Sequence, residues 1–165
     1  ISYLLTPATV CLAVPLYEQL ELLKKNKVAV VCGILSGTLA SLTGIFVLCM
    51  LFGFNHKQYV TMLPKSITTA IGIGISEELG GIVTITVAVI IITGILGNVI
   101  ADTVFHIFKI KNPLAKGLAL GTASHAIGTA RAIEMGPVEG AMSSLAVAVA
   151  GLLTVVFVSG FAQLI

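Results

Sequence analysis

Three stretches of this chain, Val28 to Phe52, Ile82 to Ala101 and Gly140 to Ile165, contain no Asp, Glu, Lys or Arg. Each reaches the roughly 20 residues that a helix needs to cross the hydrocarbon core of a bilayer. In lipid every backbone N–H and C=O must be satisfied within the protein, so only helices and closed barrels can span. The apolar residues run continuously rather than alternating, and Leu, Ala and Ile dominate, which argues against barrel strands. The expected fold class is all-α, a polytopic membrane helix bundle. Composition agrees: 57% of the residues are hydrophobic and 10% charged, and the mean hydropathy is +1.10. Such a chain cannot present the water-facing surface of a soluble domain of its size.

The chain also repeats a short polar segment followed by a long apolar one. Thr68-Thr69-Ala70-Ile71-Gly72 leads to Glu78-Leu79-Gly80, and 56 positions later Ser124-His125-Ala126-Ile127-Gly128 leads to Glu134-Met135-Gly136. Gly94-Ile95-Leu96 and Gly151-Leu152-Leu153 follow at a spacing of 57, so one inserted residue separates the copies. A weaker copy starts at Leu5-Thr6-Pro7-Ala8-Thr9 and runs to Gly33-Ile34-Leu35. Many transporters are built from internal repeats of this kind. The expected organisation is a single transmembrane domain over 1–165, with repeat units at about 1–52, 59–108 and 117–165. The first residue is Ile1 with no basic leader behind it, so further N-terminal sequence is expected.

Between the long spans lie segments too short to cross alone. Ser66 to Ser76 holds eleven uncharged residues, about 16 Å of helix, or half the hydrocarbon thickness. Gly117 to Ala130 is similar, and Ile1 to Tyr17 is interrupted by Pro7 and Pro15. Lys24, Lys25 and Lys27 form one basic loop and Lys109, Lys111 and Lys116 another, and the positive-inside rule places both on the cytoplasmic side. Two full spans already separate these loops, so Tyr59 to Ser76 must dip in and return to the outer side. By the same count Gly117 to Ala130 enters from inside, and the last span carries the C-terminus outward. Copies inverted in this way bring two half-helix tips towards a shared midplane.

Irregular backbone in lipid is tolerated only where it lines a cavity or packs in protein, so the broken segments hold the candidate site. Pro64 suits the first turn of a helix, and a helix starting at Ser66 points free N–H groups and a positive dipole end at whatever lies beyond. Lys65 adds a full charge, and Ser66, Thr68 and Thr69 add hydroxyls. Together they describe a seat for a small anion, most simply a carboxylate, to which Thr9 contributes from the first copy. The plainer reading is a Lys65 that snorkels above a capped helix with hydroxyls bonded to their own backbone.

The second segment offers Ser124, His125 and Thr129 among small residues that permit close backbone approach. An ionisable side chain at depth is a functional candidate by default, and imidazole exchanges a proton near neutral pH. The alternative for His125 is a neutral ring held by a carbonyl on a packed helix. Arg131, the only arginine, has Glu134 three positions on. They form either a surface i, i+3 pair or a gate. Asn98 and Asp102 lie one helical turn apart, as packing contacts or as part of an ion path.

Other function classes find little support. The net charge of +2 and the lack of a basic, aromatic patch argue against nucleic acid. Cys11, Cys32 and Cys49 have no CxxC pairing, so neither a disulfide nor a metal site is expected. Gly72-Ile73-Gly74 lacks the third glycine of a dinucleotide fingerprint, and neither a P-loop nor HExxH is present. No catalytic residue and no cofactor are expected.

Pro7-Ala8-Thr9, Ala13-Val14-Pro15-Leu16-Tyr17, Leu63-Pro64-Lys65-Ser66-Ile67-Thr68-Thr69 and the run from Gly117 through Gly121-Thr122-Ala123-Ser124-His125-Ala126-Ile127-Gly128-Thr129-Ala130-Arg131 resemble the LrgB/CidB family, over essentially the whole chain. That resemblance implies a multi-pass bacterial inner-membrane protein of holin- or antiholin-like type, modulating murein hydrolase activity beside a small LrgA/CidA-type subunit. Plastid relatives exchange glycolate and glycerate, and bacterial members are linked to pyruvate or other short monocarboxylates. Two functions are therefore expected. The first is a carrier for a small monocarboxylate, with Lys65 and Ser66 on the carboxylate, Thr68, Thr69, Ser124 and Thr129 on its other oxygen, and His125 coupling a proton. The other is a holin-like pore or lysis regulator acting through homo-oligomers, with glycine faces around Gly33, Gly37, Gly94 and Gly97 as oligomer surfaces.

Overall fold

The structure, a computed structural model, describes residues 17–165. Thr9 lies outside the described residues. Among them the chain is helical and contains no strand: α1 Leu20–Lys25, α2 Lys27–Leu51, α3 His56–Met62, α4 Thr69–Glu78, α5 Val83–Ile107, α6 Pro113–Met135 and α7 Pro137–Ala162. The helices α2, α5 and α7 are long and apolar enough to cross a membrane, with mean hydropathies of 2.1, 2.4 and 2.4. They coincide with the three uncharged runs. Their outward residues, such as Leu48, Leu51, Ile92, Leu96, Leu152 and Val156, stay exposed, as lipid-facing positions should.

Helices α3 and α4 form a hairpin. Asn55 starts α3 with a capping box in which its side chain accepts from the Gln58 N–H and Gln58 accepts from the Asn55 N–H. Residues 63–68 make the tip, and α4 returns. Its far end is closed by Gly80, at φ 73°, whose N–H donates to the Glu77 carbonyl while Gly81 donates to Ser76, the Schellman pattern that a left-handed glycine permits. The mouth is pinned by hydroxyls. Thr61 Oγ1 accepts from the Ile82 N–H at 2.8 Å, and Thr86 Oγ1 lies 2.9 Å from the Thr61 carbonyl and 2.8 Å from Ser76 Oγ. Tyr59 donates to the Phe161 carbonyl near the end of α7 at 2.8 Å.

The second hairpin is hidden inside one helix. Asn112 caps α6 and Pro113 opens it, and the backbone breaks at His125, at φ 43° and ψ −141°. Leu120, before the break, and Ala132, after it, both pack with Ala101 and Phe105 of α5. The two limbs therefore run back alongside each other. Helix α7 then leaves from the same face and ends beside α3, where His56 Nδ1 meets the Ile165 carbonyl at 2.6 Å. Asn26 and Asn112 share one cavity mouth, so the two basic loops lie on one face, termed the lysine-rich face. Each hairpin is followed by a full span, and the two hairpins enter from opposite faces.

Two expectations need correction. The helix expected from Ser66 starts at Thr69, because residues 63–66 fold as a turn, with Lys65 N–H bonded to the Met62 carbonyl and Ile67 N–H to the Pro64 carbonyl. Thr68, in extended geometry at φ −64° and ψ 146°, is the first residue outside α4. The glycine faces offered as oligomer surfaces are used within the chain. A Cβ on Gly33 would meet Leu118, on Gly37 Thr122 Oγ1 at 2.8 Å, on Gly94 His125 Cε1 at 2.8 Å, and on Gly97 the Ser124 hydroxyl.

Candidate functional site

A cavity of about 790 Å³ opens at the lysine-rich face between α2 and the first limb of α6, and ends on the tip of the first hairpin. Its walls are small: Gly33, Ser36, Gly37 and Ala40 on one side and Ala115, Ala119 and Ala123 on the other, with Lys65 and Ser66 at its floor. Ser41, which faces the tip, is ten residues from the end of α2 at Leu51, a depth of about 15 Å. The floor is therefore near the middle of the bilayer.

Lys65 is half-buried there. Its Nζ donates to Ser66 Oγ at 2.7 Å and approaches Ser41 Oγ at 3.5 Å, while Ser41 donates to Ser66 at 2.9 Å. No carboxylate joins them. The chain holds seven acidic residues, Glu18, Glu21, Glu77, Glu78, Asp102, Glu134 and Glu139. Within the described residues the carboxylates that form ion pairs do so with Arg131. A cation at this depth whose partners among the described residues are hydroxyls is an expensive arrangement that an incoming anion would relieve.

The structure gathers only part of the expected set. Lys65 and Ser66 line the cavity, joined by Ser41 and Thr122. Thr68 and Thr69 are half-buried at the start of α4 and lie outside that lining. Ser124, His125 and Thr129 are buried in the protein around the second break. The His125 Nε2–H donates to the Ile90 carbonyl at 2.9 Å, which identifies the neutral tautomer as the one protonated on Nε2, since a carbonyl only accepts. Ile90 is seven residues into α5, about 10 Å deep. Its side chain also stands over Gly72 of the first hairpin, so this one residue touches both broken elements. Thr129 donates to the His125 carbonyl at 3.0 Å and sits 2.8 Å from Ser143 Oγ, which then serves as donor. Arg131 bonds to Glu134 at 2.6 Å and also to Asp102. Asn98 donates to the Ile127 carbonyl at 3.2 Å. Both latter contacts tie α5 to the returning limb of α6.

Ser41, Thr122 and Thr38 were not singled out from the sequence. A signal existed: Gly33, Gly37 and Ser41 recur every four residues along α2, with Thr38 three before Ser41, so one stripe of an apolar span is small and polar.

The LrgB-like family profile matches residues 1–164. The antiholin-like protein LrgB of Bacillus cereus is 42% identical over 161 residues, which cover 98% of this chain and 70% of that protein. The antiholin-like protein LrgB of Bacillus anthracis shows the same identity and coverage. No solved structure matches the chain.

Proposed function

Since the chain belongs to the LrgB-like family of bacterial inner-membrane proteins, we propose that it is an antiholin-like membrane protein whose working part is a one-sided polar cavity for a small monocarboxylate. The family-level half of this reading, an antiholin-like role, rests on the names of the relatives; control of murein hydrolase activity beside a small LrgA/CidA-type subunit is what the resemblance to the family implies. The finer half, carriage of an acid of the glycolate, glycerate or pyruvate class, rests on one observation. A mid-membrane lysine ends an open cavity and, among the described residues, has only hydroxyl partners.

In this proposal the carboxylate takes Lys65 Nζ and Ser66, with Ser41 holding both in place. Thr68 and Thr69, at the start of α4, keep the positive end of that helix beside the seat. Ser124 and Thr129 hold the second hairpin so that its tip bears on α5, and His125 couples a proton. Protonation of its ring would leave the Nε2–H bond to Ile90 intact and add an N–H at Nδ1. Arg131, clasped by Asp102 and Glu134, acts as the gate latch between α5 and α6. No enzymatic step is proposed.

The competing reading is a holin- or antiholin-like lysis regulator, the class that the relatives' names favour, acting as a pore made by homo-oligomers. Its oligomer surface would have to be built from the exposed apolar residues of the spans, since the glycine stripes are occupied. Labelled glycolate and pyruvate uptake into proteoliposomes separates the two. Saturable uptake with counterflow is expected of the carrier. Unsaturable release of dyes of many sizes overturns it in favour of the pore.

A further inference from the structure

Beneath the floor of the large cavity lies a second, much smaller space of about 10 Å³, lined by Thr38, Ser41, Ser66, Thr122, Thr154 and apolar side chains. It shares Ser41, Ser66 and Thr122 with the large cavity. A volume of roughly 10–15 Å³ on this measure holds a single water-sized atom, so the notch has room for one oxygen and no more. Thr38 is 3% exposed, and its Oγ1 is the one buried side-chain polar atom among the described residues that has no hydrogen-bond partner. A buried hydroxyl without a partner is costly, and a ligand oxygen that accepts from it removes that cost.

The hydrogen bookkeeping of the other walls defines what fits. The Thr122 hydroxyl hydrogen goes to the Leu118 carbonyl at 2.8 Å and that of Thr154 to the Ala150 carbonyl at 2.7 Å, so these oxygens turn only lone pairs towards the notch. Ser66 Oγ accepts from Lys65 and from Ser41, which leaves its own hydrogen uncommitted, as is that of Thr38. With the Ser66 hydrogen given to the carboxylate, the notch offers one O–H donor, Thr38, and two acceptors, Thr122 and Thr154. It can satisfy a hydroxyl, which donates and accepts, or a carbonyl oxygen, which only accepts. A methyl group in the same place would strand Thr38.

The geometry points to Thr38 as the residue that reads the second oxygen of the bound acid: with the carboxylate on Lys65 and Ser66, the oxygen on the neighbouring carbon enters the notch and takes the Thr38 hydroxyl. This assignment rests on the carrier reading above, and it moves the discriminating contact from the hairpin hydroxyls to α2. A site with buried hydrogen-bonding groups rejects an analogue that lacks the matching atom far more strongly than an apolar pocket would.

The test compares glycolate with acetate, which differ by that one oxygen, as KM values for uptake into proteoliposomes. Wild type is expected to favour glycolate by about tenfold or more. Thr38→Val, close in shape but without the hydroxyl, is expected to bring the ratio to about twofold or less, and Thr38→Ser to keep it. If Thr38→Val does not fold, Thr38→Cys reads the same ratio with a weak donor. A ratio unchanged in Thr38→Val, or in Thr38→Cys where it replaces that variant, overturns the role of Thr38 while leaving the carrier standing. Absence of saturable uptake of either acid by wild type overturns the carrier reading and this assignment together.

Discussion

At the scale of the residue, Lys65 and the glycines make opposite kinds of prediction. Lys65 contributes a charge that nothing else in the cavity supplies, so Lys65→Met should raise the KM for monocarboxylate uptake by about 10- to 100-fold, the worth of one charge-assisted hydrogen bond. A variant with unaltered KM would remove the lysine from the site. Glycines contribute space. The Ser124 hydroxyl occupies the position that a Cβ on Gly97 would take, whereas nothing lies within 4 Å of a Cβ on Gly44. Gly97→Ala should therefore destabilise the protein by about 1–3 kcal/mol, while Gly44→Ala, in the interior of α2, should stabilise it by roughly 0.5–1 kcal/mol. Thermal unfolding in detergent measures both, and equal effects would deny the close approach of α5 to the second hairpin. Residue type alone marks Lys65 and His125 as costly in a membrane, which is why both were legible in the sequence. What each would touch was not. Whether a hydroxyl faces a cavity depends on the helix across from it, so the small, polar stripe of α2 hints at Ser41, but its place at the cavity, and that of Thr122, is visible only when α2, α6 and the first tip are seen together.

At the scale of the element, the 56-residue register and the two basic loops point to both hairpins, because the two full spans between those loops already return the chain to the lysine-rich face. The boundary of α4 was not legible. Pro64, Ser66 and Thr68 are all acceptable near a helix start, and the choice is made by the turn through residues 63–66 that presents Lys65 to α2. The break in α6 was placed only to within a segment, since Gly121, Gly128 and the polar residues between them are all compatible with a bend. The structure puts it on His125, at a positive φ that non-glycine residues seldom adopt, held by Ile90 and by Thr129. The mouth of the first hairpin depends on Thr86, whose hydroxyl meets both Thr61 and Ser76. Thr86→Val keeps the shape and removes those bonds. It should cost about 1–3 kcal/mol and speed hydrogen exchange in residues 69–78 more than elsewhere. Uniform exchange across the protein would show that the hairpin is held by other contacts.

At the scale of the whole molecule, the arrangement fixes which loops share a side. In a background with Cys11, Cys32 and Cys49 replaced by Ala, Asn55→Cys and Glu78→Cys should react with an impermeant maleimide from one side of the membrane, and Lys111→Cys and Glu134→Cys from the other. Reaction of Asn55→Cys and Glu78→Cys from opposite sides would make the first hairpin an ordinary span. The large cavity reaches the bilayer middle from the lysine-rich face and stops there. Past Lys65 the way is closed by Leu42, Leu63 and Ile67, each at most 3% exposed, packed into one apolar cluster with Tyr59 and Val158. Among the described residues, that plug leaves no continuous thread of water between the two compartments, so the proposed carrier is expected to behave as an electrical insulator. A cell can then carry many copies at rest without discharging its proton-motive force.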